Sequence, residues 1–147
     1  MVVRELHENW KMRMVGTEDF IPAVVPGSVY NDLLRNGRME DPYYRDNEAK
    51  ALEIMENDFE YTSVFDVEKD ILDCEDILLH FDGIDTIADI YLNGTWLASV
   101  KNMHRTWEFS VKKALRETEN ELRIVLHSPT KFIREASLTG IWPMRWN

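Results

Sequence analysis

The pair Asn93-Gly94 sits between two apolar-rich runs, IADIYL and TWLASV, and constrains the fold more tightly than any other local feature of the chain. Asn and Gly both tolerate φ > 0, so the pair specifies a type I′ two-residue turn and a tight antiparallel hairpin. A two-residue loop sets the register: Leu92 opposite Thr95, Tyr91 opposite Trp96, Ile90 opposite Leu97 and Asp89 opposite Ala98. Directly opposed residues share a face. Ala88, Ile90, Leu92 and Leu97 therefore define a core face, and Asp89 with the Tyr91/Trp96 pair defines a half-polar one. That second face could meet solvent, another domain or a ligand.

The rest of the chain repeats the same period. Trp10, Met12 and Met14 alternate with Lys11 and Arg13, as in a half-buried strand. Phe20 to Val25 is a second apolar run, closed by Pro26-Gly27. Ser28 then precedes VYNDLLRNG, which predicts an N-capped short helix with Val29, Leu33 and Leu34 on one face, ended by Gly37. Ser28 follows a glycine, which invites a nucleophile reading. A nucleophile elbow needs Gly-x-Ser-x-Gly after a strand, and no second glycine follows here. Residues 41–48, DPYYRDNE, form a polar loop, and AKALEIMEN after it predicts one or two helical turns. Alternation resumes at 59–67, 77–81, 87–92, 95–100, 106–111 and 121–127, with 10–14 and 20–25 before them. Short alternating strands with a single helical excursion around residues 28–57 predict an all-β, antiparallel jelly-roll β-sandwich.

With 147 residues and 44% hydrophobic content, the chain suffices for one core, and a single domain over 1–147 is expected. A formal net charge of −10 repels phosphate backbones and anionic membranes, so neither nucleic acid nor membrane is an expected partner. No apolar run approaches the ~18 residues of a spanning helix. MVVRELHENW lacks the apolar core of a signal peptide, and Cys74 is the only cysteine, so a cytoplasmic protein is expected. The four histidines, His7, His80, His104 and His127, have no metal-ligand spacing; His80 and His127 fall at polar-parity positions that suit ordinary surface histidines. No metal, cofactor or catalytic residue is expected. Trp10, Trp107, Phe59, Phe81 and Phe109 follow strand parity and are expected in the core.

AVVPGSVYNDLLRNGRMEDPYYRDNE resembles the N-terminal region of β-mannosidases of glycoside hydrolase family 2. Ala23, Val25, Pro26, Gly27, Val29, Asp32, Leu33, Gly37, Asp41, Pro42, Tyr43, Asn47 and Glu48 carry the resemblance, with Met39 at an isoleucine position. HFDGIDTIADIYLNGTWL resembles a wider family segment, and Asn102-Met103 and NELRIVLHSP extend the similarity to about residues 6–135. The resemblance implies a galactose-binding-domain-like, sugar-binding jelly roll. An immunoglobulin-like domain and a catalytic (β/α)₈ barrel holding both catalytic glutamates would follow it and be its partners. Ile133-Arg134-Glu135 and Thr139-Gly140-Ile141-Trp142 are similar to segments flanking an active-site loop, whose own motif is missing here. An atypical or truncated tail is therefore expected at about 136–147. Residues expected to face carbohydrate or a neighbouring domain are Tyr91, Trp96, Asn47, Glu48 and Trp142. The favoured expectation is a non-catalytic domain that braces the barrel and shapes its pocket. The alternative is a free-standing carbohydrate-binding module. β-Mannosides as ligands and self-association of the free chain complete the expectations.

Overall fold

The computed structural model describes residues 4–25, 27–39, 50, 53–54, 56–81, 87–101 and 106–128. Asn47, Glu48, Trp142, the 41–48 loop and the 136–147 tail lie outside them. Eight strands are described: β1 (Trp10–Met14), β2 (Ile21–Pro22), β3 (Phe59–Phe65), β4 (Leu78–Phe81), β5 (Ala88–Leu92), β6 (Thr95–Val100), β7 (Trp107–Ser110) and β8 (Asn120–Leu126). Helix α1 (Val29–Arg35) lies between β2 and β3. The strands form a six-stranded antiparallel sheet in the order β2-β1-β3-β8-β5-β6, and a β4-β7 pair. All eight overlap the runs expected of them, though β2 keeps only Ile21–Pro22 of residues 20–25 and β8 starts one residue early, at Asn120. A four-residue helix, α2 (Lys69–Leu72), was not expected; KDIL is too short for a helical period to show, and no side chain caps it.

Inward-facing residues of the large sheet make the core. Met12, Ile90, Leu92, Leu122 and Val100 are fully buried, and Phe81, Trp107 and Phe109 of the β4-β7 pair pack against the same cluster. Trp10 and Phe59 are buried as their parity requires. Strand β3 is buried on both faces from Phe59 to Ser63, so Glu60 and Thr62 are covered although they point away from the core.

Ser28 is the N-cap of α1, its hydroxyl accepting from the Asn31 amide at 3.1 Å. The helix ends on Gly37 at φ +69, with Arg38 N–H donating to Leu33 O and Gly37 N–H to Leu34 O. These two bonds form a Schellman closure, which needs the left-handed conformation that glycine adopts freely. One buried polar cluster ties α1 to the sheet. Asp32 is fully buried and accepts from Tyr61 Oη at 2.6 Å, Arg35 at 2.6 Å and the Val24 amide at 3.1 Å. Burial, reinforced by the adjoining Asp32 carboxylate, pushes the Tyr61 phenol well above its ordinary value.

The hairpin has the expected turn and one unexpected irregularity. Asn93 and Gly94 adopt φ +52 and +81, and Leu92–Thr95 and Tyr91–Trp96 pair as expected. The register then shifts: Ile90 faces Ala98 and Asp89 faces Ser99, leaving Leu97 as the extra residue of a β-bulge. The uninterrupted register would place Ser99 opposite Ala88 in the core and send Val100 outward. The bulge reverses both, and Val100 is fully buried. Asn93 also does more than turn the chain. Its amide donates to Ala114 O (2.7 Å) and Asn120 Oδ1 (3.0 Å), and its carbonyl oxygen accepts from the Glu121 amide (2.8 Å). The hairpin tip is thereby fastened to the segment entering β8.

Two substitutions test these features. Gly94→Val places a β-branched residue at φ > 0 and is expected to cost about 1–3 kcal/mol, read as a lowered denaturant midpoint. Tyr61→Phe strips one donor from the buried Asp32 carboxylate and is expected to cost about 1–3 kcal/mol in the same measurement. A midpoint unchanged from the parent would show that the feature concerned contributes nothing.

Candidate functional site

Strand alternation turns Lys11, Arg13, Glu60, Thr62, Val64, Glu121, Arg123, Val125, Asp89, Tyr91 and Trp96 away from the core. Register aligns them in rows across the sheet. One runs Lys11–Thr62–Arg123–Tyr91–Trp96 and the next Arg13–Glu60–Val125–Asp89–Ser99. The expected Tyr91/Trp96 pair thus exists, on the half-polar face. Its setting is electrostatic as much as aromatic. The Arg123 guanidinium lies 4.3 Å from the Tyr91 ring centroid, and Trp96 is 57% exposed on the outermost strand.

At the centre of this face Glu60 is 3% exposed and held from two sides. Arg13 Nε donates to one carboxylate oxygen and Arg123 Nη1 to the other, at 3.0 Å. The two cations leave the buried carboxylate fully paired, the condition under which a buried charge is tolerated. Lys11 and Arg13 also cover the Phe20 ring, at 4.4 and 4.9 Å from its centroid. Sequence reading missed this lattice because Glu60, Arg13 and Arg123 lie on three different strands. The signal available was only that each alternates with an apolar neighbour.

Histidine 127 departs from its expected role as an ordinary surface residue. It follows the central strand β8, and its two ring nitrogens reach the carboxylates flanking that strand: Nδ1 to Asp58 Oδ2 at 3.1 Å and Nε2 to Asp89 Oδ2 at 2.7 Å. Asp58 further accepts from the Ser128 amide at 2.9 Å, and Asp89 from the Ser99 hydroxyl. Burial alone would lower the His127 pKa; the hydrogen bonds to Asp89 and Asp58, with their charges, outweigh it and raise the value. Burial likewise opposes ionisation of Asp89, but the Ser99 and His127 hydrogen bonds prevail and hold it below its ordinary value. Asp89 is therefore a standing anion at neutral pH and poorly suited to donate a proton. His80 sits apart, exposed, with Nδ1 3.0 Å from Glu108.

Among the described residues no group of three His, Cys, Asp or Glu side chains is arranged to hold a metal ion. No described helix is long and apolar enough to cross a membrane. Among the described residues, Arg4, Asp66, Val67, Glu68, Lys69, Glu117 and Thr118 line an open groove of about 320 Å³ that includes neither Tyr91 nor Trp96. The outer sheet face carries fixed cations, one exposed indole and paired carboxylates.

An antiparallel β-sandwich with a capped helix inserted after its second strand defines an all-β domain of the galactose-binding-like class. The profile of the family described as "Glycosyl hydrolase 2 galactose-binding domain-like" matches residues 10–145, and the chain belongs to that family. It is similar to a β-mannosidase of Rattus norvegicus, 28% identical over 127 residues, covering 86% of this chain and 14% of the rat protein. It is also similar to the crystal structure of the β-D-mannosidase of Dictyoglomus thermophilum, with TM-score 0.90 and 38% identity over 94% of this chain and 17% of that one. The β-glucuronidase of Bifidobacterium dentium, solved with coumarin-3-O-glucuronide, aligns at TM-score 0.59 and 25% identity, over 80% of this chain and 19% of that one. The chain thus spans about one seventh to one sixth of the length of the β-mannosidases it resembles, and corresponds to their N-terminal domain.

The His127 ties carry a pH dependence. A raised folded value stabilises fully below the ordinary histidine value near 6.5, and that contribution is lost as pH rises through the folded value. The depressed Asp89 contributes above its ordinary value near 3.8, lost as pH falls through the folded one. Both act together between about pH 4 and 6.5. The denaturant midpoint is expected to fall from pH 6 to pH 8.5, and His127→Gln to flatten that slope. An equal slope in the variant would remove His127 as its source.

Proposed function

We propose that this chain serves as the non-catalytic N-terminal domain of a β-mannosidase-like glycoside hydrolase, bracing the catalytic barrel and shaping one wall of its pocket. The observation that carries this reading is the likeness to the Dictyoglomus β-D-mannosidase, close over nearly the whole chain yet confined to 17% of that enzyme. The likeness to a β-glucuronidase fits a scaffold whose fold serves different sugars. Carbohydrate metabolism in the cytoplasm is part of the same reading, for which Cys74 as sole cysteine is consistent with a reducing compartment. On this reading β-mannosides meet the assembled pocket, and the domain contributes only an edge of it.

The free-standing binding module has one observation in its favour, the exposed Trp96 indole. Against it, Arg123 occupies one side of the neighbouring Tyr91 ring, so the pair is not an open double platform for sugar C–H faces.

The isolated chain is expected to show no hydrolysis of an aryl β-mannoside, since retaining chemistry needs two carboxyl groups about 5–5.5 Å apart across the scissile bond. Turnover above a heat-killed control, with contaminating glycosidase excluded, would end the non-catalytic reading. Chemical-shift titration with mannose and mannobiose at millimolar concentration is expected to give no localised, saturable shifts. Such shifts centred on Trp96 would favour the binding module.

A further inference from the structure

We propose that Asn93-Gly94 is a conformationally gated deamidation site: the closed hairpin shields it, opening of the tip exposes it, and the product unfastens the tip from β8. The chemistry needs only these two residues, base and water. With its proton withdrawn, the Gly94 backbone nitrogen attacks Asn93 Cγ; a C–N bond forms, the Cγ–Nδ2 bond breaks, and Nδ2 leaves as ammonia with the proton. Water then opens the five-membered imide at one of its two carbonyls. Opening at Cγ leaves aspartate; opening at the Asn93 backbone carbonyl leaves isoaspartate, in which the chain runs through Cβ and Cγ. Glycine is the most permissive second residue, because no Cβ crowds the attacking nitrogen.

The closed hairpin forbids this step in two ways. Ring closure requires Cβ to eclipse the Gly94 nitrogen about the Asn93 Cα–C bond. Asn93 and Gly94 adopt φ +52 and +81, and the first central residue of such a type I′ turn has ψ of about +30°, which leaves Cβ nearly opposite that nitrogen. The carboxamide is also held at both ends. Nδ2 donates to Ala114 O (2.7 Å) and Asn120 Oδ1 (3.0 Å), while Oδ1 accepts from the Glu121 amide (2.8 Å) and Arg116 Nη2 (3.2 Å). Attack therefore needs the backbone rotated and these bonds released. The second such pair, Asn36-Gly37, is stored in the same way: Asn36 has ψ 9, and its Nδ2 donates to Pro22 O and Asp32 O.

The tip is a place where opening is expected. Gly94, Thr95 and Trp96 are exposed, and β6 is the last strand of its sheet among the described residues. Once formed, the product does not refit. A carboxylate at position 93 accepts only, and it would face Ala114 O and Asn120 Oδ1, both acceptors. Asn120 is fully buried and has no amide hydrogen to turn toward it, since its Nδ2 donates to Phe65 O and Arg116 O. Arg116 can still pair with the new charge, so the loss falls on the Nδ2 side. Isoaspartate further lengthens the main chain of a two-residue loop, which the Leu92–Thr95 pairing does not accommodate. Conversion is thus one-way.

The 147-residue chain aged in mildly alkaline buffer, with and without urea, supplies the test. Peptide mapping by mass spectrometry reads conversion at Asn93, separately from Asn36. Conversion in denaturing urea is expected to be at least ~tenfold faster than in buffer, as local opening that costs only ~1.4 kcal/mol already gives. Equal rates in the two would overturn the shielding. Sub-denaturing urea is expected to raise the rate in step with hydrogen exchange of the Glu121 amide, which the Asn93 carbonyl oxygen holds. A rate indifferent to such urea would mean reaction through the closed hairpin, and would overturn the gate. Converted chains carry one more negative charge and separate by ion exchange. Their Glu121 amide is expected to exchange several-fold faster than in unconverted chains from the same sample, and Asn93→Asp to lower the denaturant midpoint. Unchanged exchange in converted chains would show that the product leaves the tip fastened, and would overturn that part of the proposal.

Discussion

The Asp32 carboxylate is the point on which two parts of the domain depend. It is fully buried, and its partners come from the sheet (Tyr61), from its own helix (Arg35) and from the strand-to-helix connection (the Val24 amide). A lone buried carboxylate would be costly or would take up a proton; three donors make it a fixed joint. Because Tyr61 lies on β3, which pairs with both β1 and β8, the helix is anchored to the middle of the sheet and not to an edge. The position of α1 over the core follows from one acid and the donors aimed at it. Leu33 beside it then fills the apolar space underneath.

The two faces of the large sheet solve opposite problems. Inside, apolar side chains exclude water and need only complementary shape. Outside, β3 and β8 are so central that their polar residues are also partly withdrawn from solvent, and each needs a partner. Glu60 finds two guanidiniums, and His127 two carboxylates. These clusters lie along adjacent strands, so the charges alternate across the face and each neutralises part of its neighbour's field. The result is a surface whose central charges are paired with one another.

Much of this architecture is legible in the sequence, because period-two alternation and turn chemistry are local. The eight strands, the Ser28 cap and the Asn93-Gly94 turn all follow from side chains within a few residues of one another. What escapes is non-local or has no distinct residue type. Leu97 is an ordinary strand residue, and its bulge follows from the need to bury Val100 rather than Ser99, a tertiary condition. His127 reads as a surface residue until Asp58 and Asp89, tens of positions away, arrive on either side of it. Glu60 looks like any solvent-facing acid in an alternating strand, and only the sheet order reveals that it is enclosed. Among the sites read from sequence, Tyr91 and Trp96 are paired as expected, while Asn47, Glu48 and Trp142 lie outside the described residues.

The ends of the large sheet carry a consequence for how such a domain survives in a crowded solution. An exposed terminal strand is a template for strand addition by any passing chain, and regular edges seed aggregation. On one side the terminal strand β2 is two residues long and contains Pro22, which has no amide hydrogen to offer. On the other, β6 is the terminal strand among the described residues and is long enough to recruit a strand, but its bulge at Leu97 breaks the even spacing of donors and acceptors that a newcomer would need. The irregularity that brings Val100 into the core therefore also spoils the outermost strand as a template. A single inserted residue both completes the interior and guards the fold against growing into a fibre.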